Sequence, residues 1–438
     1  MIKNIVLQHK LEQKKILSQD YILREKLDFA KKYLDSDLIK VITGVRRAGK
    51  SIFSFLLLKD KNFAYLNFDD DQLLKIKNYD EIVKAIFEVY SESKYILFDE
   101  IQNLEKWEIF VNKLQRRGYN LILTGSKAKL LSKELGTVLT GRYIPVEIFP
   151  FSFREFLSAK NFKVKKEYLS LPETKGKILG YLDEYLKNGG FPEVTVKNLS
   201  PETYLETLFD AVLFKDVVKR YRVRFSQEIY DLAVYLVSNF CSEFSFNKLK
   251  NILKFRSTNT VQKYLRYLEE AYLVFPLNRF SFKVKEQVKS PRKIYLVDNG
   301  FILAKAFRFS QNIGRLIENL VFIEILRRGY KLNRDVFYYQ TRNKKEVDFV
   351  LKKGAKIEEL MQVCYEISNF EVEKREVRSL LEASGELKCD NLSIVNWDYE
   401  GIEKYKNKKI KFIPLWKWLL ETGGSRQETG GGRQEVGR

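Results

Sequence analysis

The chain has one histidine, three cysteines and a shortage of acidic residues, and each scarcity closes off some chemistry. His9 has no second imidazole to join, so neither a two-histidine metal site nor a catalytic pair built on histidine is available. It lies in a polar stretch and reads as structural. Cys241, Cys364 and Cys389 stand far apart with no CxxC pairing, which excludes a disulfide scaffold and a thiolate zinc cluster. Magnesium held by oxygen ligands is left as the natural metal. No apolar run reaches the ~18 residues of a membrane span. MIKNIVLQHKLEQKK turns polar before a secretory core can form, so the expectation is a cytoplasmic protein with no membrane partner. Basic residues outnumber acidic ones 78 to 57, a formal net charge of +21. That excess points to a partner carrying phosphates, nucleic acid first and DNA favoured, against the blander reading of a solubilising surface.

What is present suits a folded protein: 45% of residues are hydrophobic and 31% charged, outside the range of wholesale disorder. At ~150 residues per domain the length predicts about three domains. Residues 5–35 read as one charged helix within an N-terminal segment 1–37. Over 38–150, short apolar runs alternate with helical stretches: LIKVITG, NFAYLNF, YILFDE, YNLILTG and RYIPVEI. Five such runs predict a three-layer α/β domain around a parallel sheet. Residues 151–225 read as a helical lid broken by NGGFPEV, and 226–300 as a helix-turn-helix followed by strands. Residues 301–420 return to mixed α/β. The tail 421–438 repeats ETGGSRQ and ETGGGRQ and is expected to be disordered.

GVRRAGKS (Gly44, Val45, Arg46, Arg47, Ala48, Gly49, Lys50, Ser51) matches the phosphate-binding pattern G-x-x-x-x-G-K-[ST], after an apolar run and before SIFSFLLLK. Strand, loop and helix are the setting that pattern requires. The glycines let successive N–H groups face phosphate oxygens, and the helix N-terminus adds partial positive charge. Lys50 would contact the β- and γ-phosphates and the Ser51 hydroxyl would ligate Mg²⁺. YILFDE then ends a buried strand in two carboxylates, Asp99 for the metal and Glu100 to polarise the attacking water. Thr124 and Ser126, at the end of YNLILTGS, are candidates to sense the γ-phosphate, with a helix N-cap as the alternative. Arg142 is an arginine-finger candidate that would reach a neighbouring copy's nucleotide, implying a homo-oligomer.

With YLNFDD, FDEIQNLEKWE, ILTGSKAKLLSKEL and LTGRYIPVEIFPFSFREFL in order behind GVRRAGKS, the chain resembles the prokaryotic, mainly archaeal, AAA-type ATPases with a C-terminal domain of poorly characterised role. NGGFPEV, LFKDVVKRY, YLRYLEEAYLVF and IYLVDNGF are also similar to that family. The resemblance implies ATP with Mg²⁺, a catalytic-glutamate P-loop sheet of order 5-1-4-3-2, and one strand between the P-loop strand and the Asp-Glu strand.

SFNKLKNILKFRSTNTVQKYLRYLEEAYLV (245–274) reads as helix, turn, helix. Val261, Leu265, Leu268 and Tyr272 form an apolar face, and Ser257 or Thr258 the cap. The opposite face carries Asn259, Gln262, Lys263 and Arg266, suited to a major groove, and a wing over 281–293 would add Lys283, Lys285, Lys289, Arg292 and Lys293 as phosphate contacts. Residues 314–366 suggest a restriction-nuclease-like core, with Glu318 on a helix and Asp348 on a strand. The expected E-x-K reads Gln362-Val363-Cys364, leaving Lys352, Lys353 or Lys356 to supply the cation. The missing groups point to a fold kept for binding. The reading is therefore an ATPase acting on nucleic acid. The alternatives are an ATP-gated protein-interaction module and an ATP-dependent nuclease.

Overall fold

A computed structural model describes residues 2–125, 141–169, 171–306, 312–366, 370–405 and 407–421. The chain divides into two compact units, Met1–Pro276 with Ile294–Ser310, and Leu277–Lys293 with Gln311–Arg438.

In the first unit, β1 (Ile39–Gly44), β2 (Phe63–Asn67), β3 (Tyr95–Asp99), β4 (Asn120–Thr124) and β5 (Tyr143–Ile148) form one sheet of order β2-β3-β4-β1-β5. All four strand pairings within it are parallel. This is the order that the family resemblance implies, with β4 between the phosphate-loop strand and the Asp-Glu strand. The apolar runs are continuous rather than alternating because helices cover both faces, so β1 and β4 are buried at every position. The helix α1 (Ile2–Leu17) buries Ile5, Val6, His9 and Gln13 at helical spacing. It does not run on to residue 35 as expected. It ends at Leu17, Leu23 is exposed, and only Leu27–Lys31 turn helical again. Ile22 is half-buried, and Arg24 just beyond it is buried.

The sheet is followed by helices α2 (Lys50–Leu57), α3 (Tyr79–Tyr90) and α4 (Trp107–Arg116) within it, then α5 (Phe153–Ala159), α6 (Pro172–Asn188), α7 (Pro192–Lys197) and α8 (Pro201–Ala211). α8 passes without a break into a π-helix, Val212–Lys219. π segments are rare and recur at functional sites. Between α6 and α7, Gly189 has φ +75°, and a Cβ there would lie 1.6 Å from Asp298 Oδ1. The Asp298 carboxylate accepts from Gly190 N at 2.8 Å and Gly300 N at 2.9 Å. The motifs NGGFPEV and IYLVDNGF are therefore two halves of one turn.

Next come α9 (Ser226–Ser238), β6 (Glu243–Phe244), α10 (Phe246–Ile252), α11 (Thr258–Glu270), β7 (Val274–Asn278) and β8 (Arg292–Leu296), the strands ordered β6-β8-β7. Ser257 caps α11, accepting from Thr260 N at 3.1 Å. Val261, Leu265 and Leu268 are buried as expected, whereas Tyr272 lies past the helix end with φ +61°. In the second unit, residues expected to form a wing instead make a short exposed helix, α12 (Val284–Lys289), which carries Lys285 and Lys289 and follows Lys283. VKEQVK satisfies its own amides along i,i+4, and Lys283 pairs with Glu286 at 3.5 Å, so the segment gains little from pairing as a strand.

Helix α13 (Gly300–Lys305) closes the described part of the first unit. The rest of the second unit holds α14 (Ile313–Arg327), β9 (Val336–Gln340), β10 (Glu346–Lys353), β11 (Lys356–Val363), α15 (Phe370–Leu387), β12 (Leu392–Asn396), β13 (Gly401–Tyr405), β14 (Lys408–Pro414) and α16 (Leu415–Leu420). Its mixed sheet has the order β13-β14-β12-β11-β10-β9. Val377, Leu380, Ala383 and Leu387 of α15 pack on one core with strand residues including Val350, Leu360 and Ile394.

Candidate functional site

The phosphate loop leaves β1 at Gly44, where φ is +149° and a Cβ would fall 2.0 Å from Ile148 O. Only glycine permits β5 to approach so closely. Gly49, at φ +91°, precedes α2, whose N-terminus has no side-chain cap. An uncapped helix start behind a glycine loop presents unsatisfied N–H groups to an anion. Lys50 reaches back over the loop, donating to Gly44 O at 3.3 Å and Val45 O at 3.2 Å. Val45 and Ala48 are buried beneath it, while Arg46 and Arg47 point outward.

Asp99 is buried, and its Oδ1 accepts from Ser51 Oγ at 3.0 Å and from Thr124 Oγ1. Burial pushes the carboxyl up, the Thr124 hydroxyl pulls it back, the Glu100 charge raises it again, and it settles at about 6. Glu100 has left-handed backbone (φ +51°). Its N–H donates to Thr124 Oγ1 at 3.1 Å and its Oε2 accepts from Gln102. Thr124 thus ties Asp99 to Glu100. Its hydroxyl donates to Asp99 and accepts from the Glu100 amide. Ser126 lies outside the described residues. Arg142 is exposed and donates to Asn112 Oδ1 at 3.1 Å.

The donor set fits a magnesium nucleotide. Ser51 and Asp99 offer two oxygens to the metal, and the loop amides with Lys50 offer donors to phosphates. A bound Mg²⁺ would neutralise charge developing on the phosphates.

Sequence reasoning missed several residues here. Arg24 is buried, and its Nη1 donates to Ala48 O at 2.8 Å and its Nη2 to Phe149 O at 2.6 Å. Its Nε lies 3.0 Å from Glu155 Oε2. It clamps the phosphate loop to the end of β5. Glu155 is fixed in turn by a capping box with Ser152. Arg46 Nε pairs with Asp216 Oδ2 at 3.0 Å, and Asp216 sits on the π-helix, where it also takes Arg220 Nη2 at 3.3 Å. Arg47 pairs with Glu193 at 3.3 Å. Tyr272 donates to Glu147 Oε1 at 3.0 Å, with Thr43 Oγ1 2.9 Å away. Asp69, of YLNFDD, is raised by burial and by the Glu100 charge. Only Asp69 and Gln102, which flank the strand ends, carried a local signal.

In the second unit, Glu318, Asp348 and Gln362 do come together, with partners the sequence did not indicate. Lys293, expected as an exposed phosphate contact of the wing, is instead fully buried and contacts Glu318 at 2.6 Å, Glu346 at 2.8 Å and Asp348 at 3.4 Å. None of the anticipated lysines supplies this cation; Lys352 instead lies over the Phe337 ring, 5.6 Å from its centroid. Burial and the Glu318 charge hold the Asp348 carboxyl well above the usual range. Gln362 accepts from Asp348 N at 3.2 Å and donates to Glu376 at 2.5 Å. Burial pushes the Cys364 thiol up to about 12, which keeps it protonated. Among the described residues no helix is long and apolar enough to cross a membrane.

Residues 36–157 match the model of an AAA domain, and 179–312 and 313–418 match two domains of unknown function, DUF8612 and DUF4143. An uncharacterized protein of Methanocaldococcus jannaschii is 40% identical over 93% of this chain and 96% of its own. One from Haemophilus influenzae is 33% identical over 81% and 88%. Among solved structures, a Walker-type ATPase of Pyrococcus abyssi aligns with a TM-score of 0.39 at 14% identity, covering 66% of this chain and 96% of that one. The chain belongs to a family of AAA-domain P-loop ATPases that carry two C-terminal domains of unknown function, with uncharacterized relatives in an archaeon and a bacterium.

Proposed function

We propose that this protein binds ATP with Mg²⁺ and hydrolyses it, and that the ATPase acts on nucleic acid. Lys50 and the loop amides hold the phosphates, Ser51 and Asp99 hold the metal, and Glu100 polarises the attacking water. The observation that carries hydrolysis is the connected chain Ser51–Asp99–Thr124–Glu100. It fixes the metal ligand and the base as one unit at the edge where open α/β sheets take their ligands. Lys50→Ala removes nucleotide binding, and Glu100→Gln retains bound ATP without turning it over. A Glu100→Gln protein that hydrolyses ATP at the wild-type rate refutes the base assignment. Arg142, exposed just before β5, is the residue a neighbouring copy would use in trans.

The nucleic-acid half of the reading rests on the charge of +21 and on the order α9-β6-α10-α11-β7-β8, which suits a winged helix with Asn259, Gln262, Lys263 and Arg266 on its outer face. Its assay is ATP turnover with and without DNA or RNA. Turnover indifferent to both leaves the protein-interaction alternative. We read the second unit as a fold kept for binding rather than cutting. The Lys293 ammonium sits among Glu318, Glu346 and Asp348, where a nuclease would place its metal. Magnesium-dependent cleavage that disappears in Asp348→Ala overturns that.

A further inference from the structure

In the first unit, the segment after the π-helix folds against α11 and leaves an open cavity of about 290 Å³ lined by residues 221–225 and Glu228 and by Arg256, Thr260, Lys263, Tyr264 and Tyr267. Small-ligand sites begin near ~300 Å³. The floor is aromatic: Tyr221 stacks on Tyr267 with centroids 3.7 Å apart and planes 6° apart, and Tyr264 is buried beside them. The rim is cationic: Arg222, Arg224, Arg256 and Lys263 are all exposed. None of these four makes an ion pair with another described residue. The one carboxylate in the lining, Glu228, already accepts from the Tyr264 hydroxyl. Phe225 is 45% exposed, with the Arg224 and Arg256 guanidinium groups 5.5 and 6.0 Å from its ring centroid.

Four cations around one cavity, none paired with a described carboxylate, repel one another, and an anion relieves that repulsion. An aromatic face ringed by guanidinium groups suits a planar ring carrying a phosphate: bases stack on aromatic side chains while Arg and Lys hold the backbone. Duplex DNA hides its base faces, so a concave aromatic seat favours an unpaired nucleotide. Arg266, the other basic residue on the outer face of α11, is held by Glu270 at 3.0 Å and stands outside this lining.

We propose that this cavity seats one unpaired nucleotide of a single-stranded nucleic acid. The proposal rests on the nucleic-acid reading above and sharpens it. Tyr221, a wall of the cavity, follows Asp216 by five residues along the same helical segment, and Asp216 holds Arg46 of the phosphate loop. An occupant therefore lies one short helical segment from the ATP site.

The test measures anisotropy of a labelled oligo(dT), the matching duplex and a labelled free adenine nucleotide, using Lys50→Ala protein so that the phosphate loop does not compete. The single strand should bind more tightly than the duplex or the free nucleotide. Arg256→Ala with Lys263→Ala should weaken it at least tenfold and flatten the slope of log affinity against log salt by about 1.4, at ~0.7 per contact on single strands. Phe225→Ala should weaken it about tenfold without changing the slope, the mark of lost stacking. The surface control Lys14→Ala with Lys15→Ala should bind as the parent does. Oligonucleotide binding that ignores the cavity variants overturns this proposal and leaves the nucleic-acid reading standing. Binding of neither strand form overturns both. A free nucleotide bound as tightly as the strand overturns the assignment to a polymer.

Discussion

Replacing Asp99 with asparagine should stabilise the nucleotide-free protein in a manner set by pH. Asp99 lies behind Ser51 and Thr124 with its carboxyl raised from 3.8 to about 6, chiefly by burial. A carboxylate harder to ionise in the folded than in the unfolded chain penalises folding once the unfolded chain has lost its proton. The penalty is absent below pH 3.8, grows as pH rises and is complete above about 6, where the shift corresponds to about 3 kcal/mol. Asparagine does not titrate. Its changed hydrogen bonds shift the comparison by a constant, so the pH dependence of the difference isolates Asp99. Between pH 5 and pH 8 the stability of Asp99→Asn relative to wild type should rise by about 1.4 kcal/mol, or roughly 3 °C in the difference of melting temperatures for a unit of this size. The assay is thermal unfolding of both proteins in a chelator at the two pH values. Saturating Mg²⁺ with ATP should cancel the wild-type disadvantage, because the cation offsets the buried charge. A difference in melting temperature that stays constant from pH 5 to pH 8 refutes the reasoning.

Two further predictions concern the phosphate loop. Arg24→Ala leaves Glu155 buried without its cation and Ala48 O without its donor, a loss of about 3–5 kcal/mol in thermal unfolding accompanied by loss of nucleotide binding. Arg24→Lys restores charge but not the fork and should recover stability ahead of affinity, and an Arg24→Ala protein binding ATP like the parent contradicts the clamp. Asp216→Asn releases Arg46 for the phosphates and should tighten ATP binding by roughly two- to fivefold, as befits a half-exposed pair, in a titration with labelled nucleotide; unchanged or weaker binding contradicts it.

The legible parts share a physical cause. LIKVITG and YNLILTG announced β1 and β4 because strands buried on both faces need apolar residues at every position. GVRRAGKS announced the loop because the close approach of Ile148 O at Gly44 tolerates no side chain. Arg24 was illegible because its partners, Ala48, Phe149 and Glu155, are distant in sequence, and such pairings leave no period. Lys293 was placed in the wing with its basic neighbours, since burial of one lysine among 78 basic residues leaves no local mark. A pattern of 3.6 does not distinguish an α-helix from the π segment that turns Asp216 toward Arg46. The helix Val284–Lys289 was missed because the wing was inferred from the fold it was expected to complete. VKEQVK itself prefers a helix.

These contacts also say what a triphosphate would meet on entering the loop. Arg46 and Arg47, the two cations the sequence adds inside GVRRAGKS, are both engaged by carboxylates, Asp216 of the π-helix and Glu193 of α7. A polyanion binding at the loop competes with those carboxylates for the same guanidinium groups. Its binding would therefore be opposed by the two ion pairs that hold α7 and the π-helix to the loop, and loss of a γ-phosphate would return the advantage to them. A ligand biases a conformation only through such differential contacts, and these two pairs supply them. Arg24 and Tyr272 behave differently. They grip Ala48 O, Phe149 O and Glu147 from beneath, at atoms no phosphate contests. The loop is thus fixed on its buried side and exchangeable on its outer side, which directs any response to hydrolysis along the segment that carries Asp216 and Tyr221.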